Sequence, residues 1–324
     1  MKALITGGAG FIGSHISERL TNEGVEVHVI DNLSTGRLEN IPFIPKEHFY
    51  LKDITDVAFV SELIKKEQFD YIFHLAAMVS VVETIEKPVI SYETNINATI
   101  NLLEATRKWD SQIKKFIFAS SAAVYGDLPD LPKSTINSKV APLSPYAIQK
   151  FSGEQYAHIY HHLYNVPTVC LRFFNVYGPK QNPNSDYSGV LSILNAKFIN
   201  KEQFTFYGDG EQTRDFVYID DLVSAICTVL YSKDTNGGIF NVGTGSETSL
   251  NAVFKSFEKV FGYTIPHIYK ECRIGDIKHS YADITPLKHL GYSPQFNIHS
   301  GINAYVSYLS LIHISEPTRL GMIS

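Results

Sequence analysis

Lys2-Ala3-Leu4-Ile5-Thr6-Gly7-Gly8-Ala9-Gly10-Phe11-Ile12-Gly13 decides the fold. Residues 2–6 form a short apolar run that stops at glycines, and a helix-like stretch follows to Leu20, ended by Gly24. Val25-Glu26-Val27-His28-Val29-Ile30 then alternates as a strand should and stops at Asp31. A strand–turn–helix–strand unit of about 30 residues is the setting that a dinucleotide fingerprint requires. Gly7, Gly10 and Gly13 permit the tight turn and let backbone approach a pyrophosphate, whose charge faces the helix N-terminus. Asp31 is placed to hydrogen-bond the adenosine ribose and to repel a 2′-phosphate, which favours NAD over NADP.

Outward from this unit, strands and helices keep alternating. Phe49–Ile54 reads as a strand with a carboxylate, Asp53, near its end; 56–67 reads as a helix and Phe69–Ala77 as a buried strand. A helix is expected over about 92–108, then the strand Lys115–Ser121. Such alternation predicts an α/β fold, a Rossmann-type doubly wound parallel sheet with helices on both faces. Ligands in that architecture bind beyond the carboxyl ends of the strands, where Asp31, Asp53, Ala76 and Ser121 fall. Residues 127–145 are proline-rich and read as a loop over the site. After a helix from Tyr146, Thr168–Val176 is the next strand, and beyond Gly178-Pro179 the character changes to mixed short elements. The expected division is a nucleotide-binding domain over 1–177, with chain returning to it at about 217–245, and a smaller mixed substrate lobe mainly over 178–308.

Composition narrows the classes. The 324 residues are 44% hydrophobic and 19% charged, the balance of a globular chain with ample core. A net charge of -5 argues against a broad nucleic-acid surface or a basic membrane patch. No apolar run reaches the roughly 18 residues of a membrane span, and the glycine turn comes too early for a signal peptide. Cys170, Cys227 and Cys272 are too widely spaced for a metal or disulfide framework, and the cytoplasm is the expected compartment.

Tyr146-Ala147-Ile148-Gln149-Lys150 places a phenol and an ammonium one helical turn apart. Tyrosine ionises near pH 10, roughly three units too high for a neutral-pH base, and a nearby cation favours the phenolate. Such pairs also arise by chance, so the spacing alone does not assign catalysis. His158, His161 and His162 have helical spacing with Glu154 one turn earlier, yet lack the glutamate between paired histidines that a zinc-protease motif needs; no metal is expected.

Taken together, the motifs resemble the extended short-chain dehydrogenase/reductase family, and within it the UDP-sugar 4-epimerases. The resemblance runs from residue 1 to about 308. It rests on Thr6–Gly13, Asp31-Asn32-Leu33-Ser34-Thr35-Gly36, His74-Leu75-Ala76-Ala77, Ser120-Ser121-Ala122-Ala123-Val124-Tyr125-Gly126 and Tyr146-x-x-x-Lys150. Arg172-Phe173-Phe174-Asn175-Val176-Tyr177-Gly178-Pro179, Tyr207-Gly208-Asp209-Gly210, Arg214-Asp215-Phe216 and Arg273-Ile274-Gly275-Asp276 complete it. The resemblance implies that Tyr146 takes the proton of the sugar 4-hydroxyl and that Ser121 hydrogen-bonds the same oxygen. Lys150 would hold the nicotinamide ribose and lower the tyrosine pKa. It also places Gly7, Gly10, Phe11, Ile12, Gly13, Asp31, Asn32, Ser34, Thr35, Gly36, Asp53, Ile54, Leu75, Ala76, Ala77, Asn95 and Phe173 against a bound NAD. The UDP-sugar falls to Ser80, Asn175, Val190, Thr205, Tyr207, Arg214, Arg273, Asp276 and Ser280. Arginine suits the diphosphate because its fork makes two parallel charge-assisted hydrogen bonds.

The departures from the family pattern carry information. The position seven after Arg273 lines the sugar pocket in these epimerases, and here it is the small Ser280, which implies room for an N-acetyl group. The expected substrates are therefore UDP-glucose/UDP-galactose, UDP-GlcNAc/UDP-GalNAc, or both. Ser192 stands where the family usually has proline, which weakens the correspondence around Val190. A 4,6-dehydratase commonly carries Asp-Glu after the catalytic Ser/Thr, whereas Ala122-Ala123 follow Ser121 here, so elimination lacks its proton shuttles. A decarboxylase of the same fold stays open as an alternative; Asp31 argues against an NADPH-consuming reductase, and the intact Ser121, Tyr146, Lys150 set argues against a silent nucleotide-binding module. Helices such as 92–108 and 147–164 pair subunits in related enzymes, which implies a homodimer. Residues 309–324 resemble the translation of a transposase adapter used in sequencing libraries and are expected to be a non-native tail, with no continuation of the helix that ends near Tyr308.

Overall fold

The computed structural model describes residues 1–181, 189–272 and 277–315, with side chains to residue 308. β1 (Lys2–Thr6) turns into α1 (Phe11–Asn22), and β2 (Glu26–Asp31) returns parallel beside β1. β3 (Phe49–Leu51), α2 (Val57–Glu67), β4 (Tyr71–His74), α3 (Val81–Glu86) and α4 (Pro88–Tyr92) follow. A π-helical turn over Glu93–Asn97 leads into α5 (Ala98–Trp109), then come β5 (Lys115–Ser121), α6 (Pro145–Tyr164), β6 (Thr168–Phe173) and β7 (Asn175–Tyr177). α7 (Val190–Asn200), β8 (Phe204–Tyr207), β9 (Thr213–Arg214), β10 (Phe216–Tyr218), α8 (Ile219–Tyr231) and β11 (Ile239–Val242) come next. β12 (Thr248–Ser249), α9 (Leu250–Phe261), β13 (His267–Lys270), β14 (His279–Ser280), α10 (Thr285–His289) and α11 (Ile298–Ser315) close the order.

Seven strands form one parallel sheet in the order β11-β6-β5-β4-β1-β2-β3. Both faces are covered, so alternate side chains of one strand enter different cores. Ala3, Ile5, Val27, Val29, Phe73, Ile117, Val169 and Leu171 pack with α1 and α8 on one face. Leu4, Ile30, Ile72, Phe116, Phe118 and Cys170 pack with α2, α5 and α6 on the other. Fully burying a side chain such as Phe116 contributes ~1.5–3 kcal/mol. Gly153 lets α6 close on the sheet: a Cβ there would lie 2.4 Å from the Phe118 ring. Among the described residues, no helix is long and apolar enough to cross a membrane.

Three local expectations change. The strand expected over Thr168–Val176 breaks at Phe174: the Phe174 amide donates to Val242 O, the Asn175 amide donates to Asp215 O, and the chain leaves the main sheet to pair with β10. The helix expected over about 92–108 begins as α4 and passes through the π turn before α5. The last helix runs past Tyr308 to Ser315, because Leu309–Glu316 contain no glycine or proline and a formed helix propagates at little cost.

Candidate active site

The glycine turn is shaped by what would collide with a side chain. A Cβ on Gly13 would sit 2.2 Å from Gly7 O, and one on Gly7, which has φ +72°, would sit 2.9 Å from the Ala76 amide. No side chain caps the N–H groups of the first turn of α1, from Phe11 and Ile12, and Leu75 and Ala76 pack against the turn at Gly7. At the end of β2, Asp31 is buried, and its two oxygens accept from the Ala9 and Leu33 amides at 2.9 and 2.8 Å. Burial raises its pKa against those amides. Gly36 closes over the carboxylate, with room for no Cβ: it would lie 2.9 Å from either oxygen. Asn32 donates to Asp53 at 2.7 Å, Ser34 and Thr35 are exposed, and Ile54 is buried behind them.

A second set of bonds ties β1, β4, α5 and α6 together. Thr6 Oγ1 accepts from the Leu75 and Ala76 amides, both at 3.2 Å, so its proton goes to His74 Nδ1 at 2.8 Å. Thr99 Oγ1 donates to Asn95 O at 2.8 Å and accepts from His74 Nε2 at 2.8 Å. His74 is therefore the neutral Nε2–H tautomer, and burial with the nearby Lys150 charge lowers its pKa to about 3. The π turn brings Asn95 inward, where its amide group accepts from Met78 N at 2.8 Å and donates to Gln149 Oε1 at 2.7 Å. Gln149 lies between Tyr146 and Lys150 in sequence, so this bond fixes the start of α6.

Tyr146 and Lys150 are delivered by a well-marked helix start. Ser144 caps α6 by accepting from the Ala147 amide at 3.2 Å, and Pro145 occupies the first turn. Lys150 is 5% exposed, donates to Ala119 O at 2.9 Å and lies 5.3 Å over the Phe118 ring and 5.9 Å from the Tyr146 ring. Burial lowers its pKa from 10.5 to about 8. Ser121 ends β5, where its Oγ accepts from the Ala123 amide at 3.2 Å and its side chain pulls the Tyr146 pKa down against burial. The lowering of the Tyr146 pKa that the resemblance assigns to Lys150 is opposed here by burial of the phenol. Burial raises the phenol, and the opposing pull comes from Ser121. The lysine's ammonium is directed to the Ala119 carbonyl instead.

Beneath this cluster lies a buried ion pair to which the sequence reading gave no role. Glu154, one turn after Lys150, accepts from Arg172 Nε at 2.9 Å, Arg172 Nη2 at 2.5 Å and Ser120 Oγ at 2.8 Å. The Arg172 guanidinium stacks 4.7 Å over Tyr125, whose hydroxyl donates to Asn241 at 2.7 Å. The contact pins α6 to β5 and β6. Two of the three histidines of α6 are turned to backbone: His158 Nδ1 faces Gly237 O at 3.1 Å and His161 Nδ1 faces Val166 O at 3.0 Å, while His162 stacks on His158.

The substrate-side residues spread over both lobes. Ser80 is buried and caps α3 by accepting from the Glu83 amide at 2.9 Å, Asn175 is exposed at the start of β7, and Phe173 ends β6. Val190 opens α7, while Thr205 and Tyr207 lie on β8, paired with Ile268 and Lys270. Arg214 and Ser280 are direct neighbours across the β9–β14 pairing. Arg273 and Asp276 lie outside the described residues. Asp215, fully buried, accepts from the Thr244, Gly245 and Ala282 amides at 2.7, 3.0 and 3.2 Å, which holds β9 and the segment after β14 to the end of β11.

Parallel sheet, glycine turn and Ser121–Tyr146–Lys150 cluster together define an extended short-chain dehydrogenase/reductase. The chain belongs to the NAD dependent epimerase/dehydratase family, whose model matches residues 3–243. It is 36% identical over 314 residues to the UDP-glucose 4-epimerase of Mycolicibacterium smegmatis, covering 95% of this chain and 98% of that one. The crystal structure of UDP-glucose 4-epimerase from Thermotoga maritima with UDP-glucose superposes with a TM-score of 0.90 at 36% identity, covering 97% of this chain and 100% of that one. The UDP-N-acetylglucosamine 4-epimerase of Methanobrevibacter ruminantium M1, in complex with UDP-N-acetylmuramic acid, gives 0.88 at 36% identity, covering 96% and 98%.

Proposed function

We propose that the protein is an NAD-dependent UDP-hexose 4-epimerase in which Tyr146 is the acid–base residue. The observation that carries this reading is the meeting of Ser121, Tyr146 and Lys150 at the carboxyl end of β5, with Ala122-Ala123 next to them. NAD held along Gly7, Gly10 and Gly13 would supply the hydride acceptor and donor for C4. The fit is steric and polar: the turn has no Cβ at Gly7, Gly10 or Gly13, and Asp31 lies at the end of β2 for the ribose.

Tyr146 takes the proton from the sugar 4-hydroxyl, with Ser121 hydrogen-bonding the phenol and the sugar oxygen. Because burial raises the free phenol, ionisation needs positive charge close by; Lys150 supplies part of it from one turn away. The 4-keto sugar turns over between the lobes, and Tyr146 gives the proton back on the other face. Ala122 and Ala123 offer no group that could remove a C5 proton or protonate a leaving hydroxyl, so the sugar is restored and not dehydrated. Arg214, one residue before the Asp215 knot, holds the diphosphate. Ser280 at its side leaves room for an N-acetyl group, so both plain and acetylated pairs are accepted.

The exposed apolar residues Val82, Ile85, Val89 and Ile90 on α3 and α4, with Ile148, Ile159 and Leu163 on α6, support a homodimer through these helices. Light scattering of the purified protein measures this. The free cysteines Cys170, Cys227 and Cys272 support a cytoplasmic location. Incubating the enzyme with UDP-galactose, UDP-GalNAc and dTDP-glucose, without added NAD, tests the activity. The expected products are the C4 epimers of the two UDP-sugars, with Tyr146→Phe slower by ~10²–10⁴-fold. A 4-keto-6-deoxy product, or no conversion of either UDP-sugar, overturns the reading.

A further inference from the structure

At the end of the sheet opposite Tyr146, three side chains converge that play no part in this reaction. Glu26 opens β2, His28 follows on the same strand, and His48 ends the 3₁₀ turn Lys46–His48 before β3. Strand alternation puts Glu26 and His28 on one face. Val29 pairs with Phe49, so one step back along both chains sets His28 opposite His48. The two imidazoles stack with centroids 4.1 Å apart and planes at 22°. Glu26 Oε1 is 2.9 Å from His28 Nε2 and 4.0 Å from His48 Nε2. One donor atom from each of the three lies within 4.8 Å of the others. Tetrahedral zinc, with bonds of about 2.0–2.2 Å, holds its donors about 3.3 Å apart. His48, which is half-buried, has to swing out of the stack for its Nε2 lone pair to meet that of His28 on one ion.

The surroundings suit a bound cation. His28 Nδ1 is 3.0 Å from the Tyr50 hydroxyl, which donates or accepts as required. While His28 Nε2–H donates to Glu26, the Tyr50 hydroxyl donates to Nδ1. When Nε2 binds a metal, the neutral ring keeps its proton on Nδ1 and donates it to Tyr50. The bond from Nε2 to Glu26 gives way to the metal while the bond to Tyr50 is kept, so the ring's orientation is fixed in both states. Lys2 lies 3.5 Å from Glu26 but 2.8 Å from Glu67, so a second carboxylate offsets its charge. His28 is buried, with Phe69 edge-on to it at 5.3 Å, while Glu26 is exposed and His48 half-buried, which leaves the donor side accessible from solvent.

We infer that Glu26, His28 and His48 form a binding site for a divalent late transition-metal ion, of the Zn²⁺ or Ni²⁺ class. The ion joins the start of β2 to the turn before β3 and acts as a strut. The test is calorimetric titration of Zn²⁺ into the full-length, cofactor-loaded enzyme after treatment with chelator, with Co²⁺ absorption as a second readout. The expected result is one site whose affinity falls at least ~10-fold in His48→Ala and in Glu26→Gln. The double variant His158→Ala/His162→Ala binds as the wild type does. Zn²⁺ raises the Tm of the wild type and not of His48→Ala. Turnover without added metal is equal in His48→Ala and wild type, which certifies the variant's fold. Absence of binding to the wild type, or affinity and Tm shift that survive both Glu26→Gln and His48→Ala, overturns the inference.

Discussion

Replacing Lys150 by methionine makes this protein more stable and a poorer enzyme. The amine is 5% exposed, and burial brings its pKa from 10.5 down to about 8. At about 1.4 kcal/mol per tenfold change in proton affinity, folding against that charge costs ~3 kcal/mol at neutral pH. Methionine keeps most of the aliphatic volume and loses the hydrogen bond to Ala119 O, a loss of ~1 kcal/mol. The net gain is ~2 kcal/mol for Lys150→Met at pH 7 in cofactor-free protein, while turnover falls by ~10²-fold or more. The pH dependence has a fixed sign. Below about pH 8 the amine is protonated in both folded and unfolded chains, and the full cost is present. Between about 8 and 10.5 the unfolded chain keeps a proton that the folded one has released, so wild-type stability rises and the gap closes. Urea denaturation of both proteins at pH 7 and at about pH 10 measures it. A variant less stable than wild type at neutral pH, or a gap that does not narrow as pH rises, refutes the reasoning.

Gly13→Ala forces a methyl to within 2.2 Å of Gly7 O, so the turn opens at a cost of ~1–3 kcal/mol and retained NAD falls; cofactor released on acid denaturation, counted per chain, checks it. His74 is buried neutral with its pKa depressed from 6.5 to about 3, so acidification through that interval destabilises the wild type. His74→Asn flattens that part of the curve of urea midpoint against pH, and an unchanged slope counts against the tautomer assigned to the Thr6–His74–Thr99 chain. Ser280→Tyr fills the space beside Arg214 and lowers turnover of UDP-GlcNAc by at least ~10-fold while sparing UDP-glucose; equal losses on both would show that Ser280 does not gauge the acetyl group.

The parallel sheet was legible because its strands announce themselves locally, as short apolar runs that end at Gly7, Asp31 and Ser121. The identities of Tyr146 and Lys150 were equally plain, since one helical turn separates them. What the ammonium does there was not, because its direction is set by a carbonyl 31 residues away on β5. The same holds for the Glu154–Arg172 pair and for the Asp215 knot, whose partners meet only after the sheet has formed. Asn95 was singled out, but the π turn that aims it is a one-residue irregularity with no mark in the sequence. Glu26, His28 and His48 escaped notice because the third member comes from a turn 20 residues after His28.

The loop that leads into Tyr146 is stitched to the small lobe. The Lys133 amide donates to Tyr281 O, and the Asp283 amide donates to Lys133 O, both at 2.8 Å. The first stitch falls one residue beyond Ser280. The segment next to Ser280 and the loop that leads into Tyr146 are therefore joined directly by backbone hydrogen bonds. Under the proposed function, a bulkier group at C2 that pushes on β14 reaches the loop before Tyr146 through these bonds, so its size is expected to be read out in kcat as well as in KM.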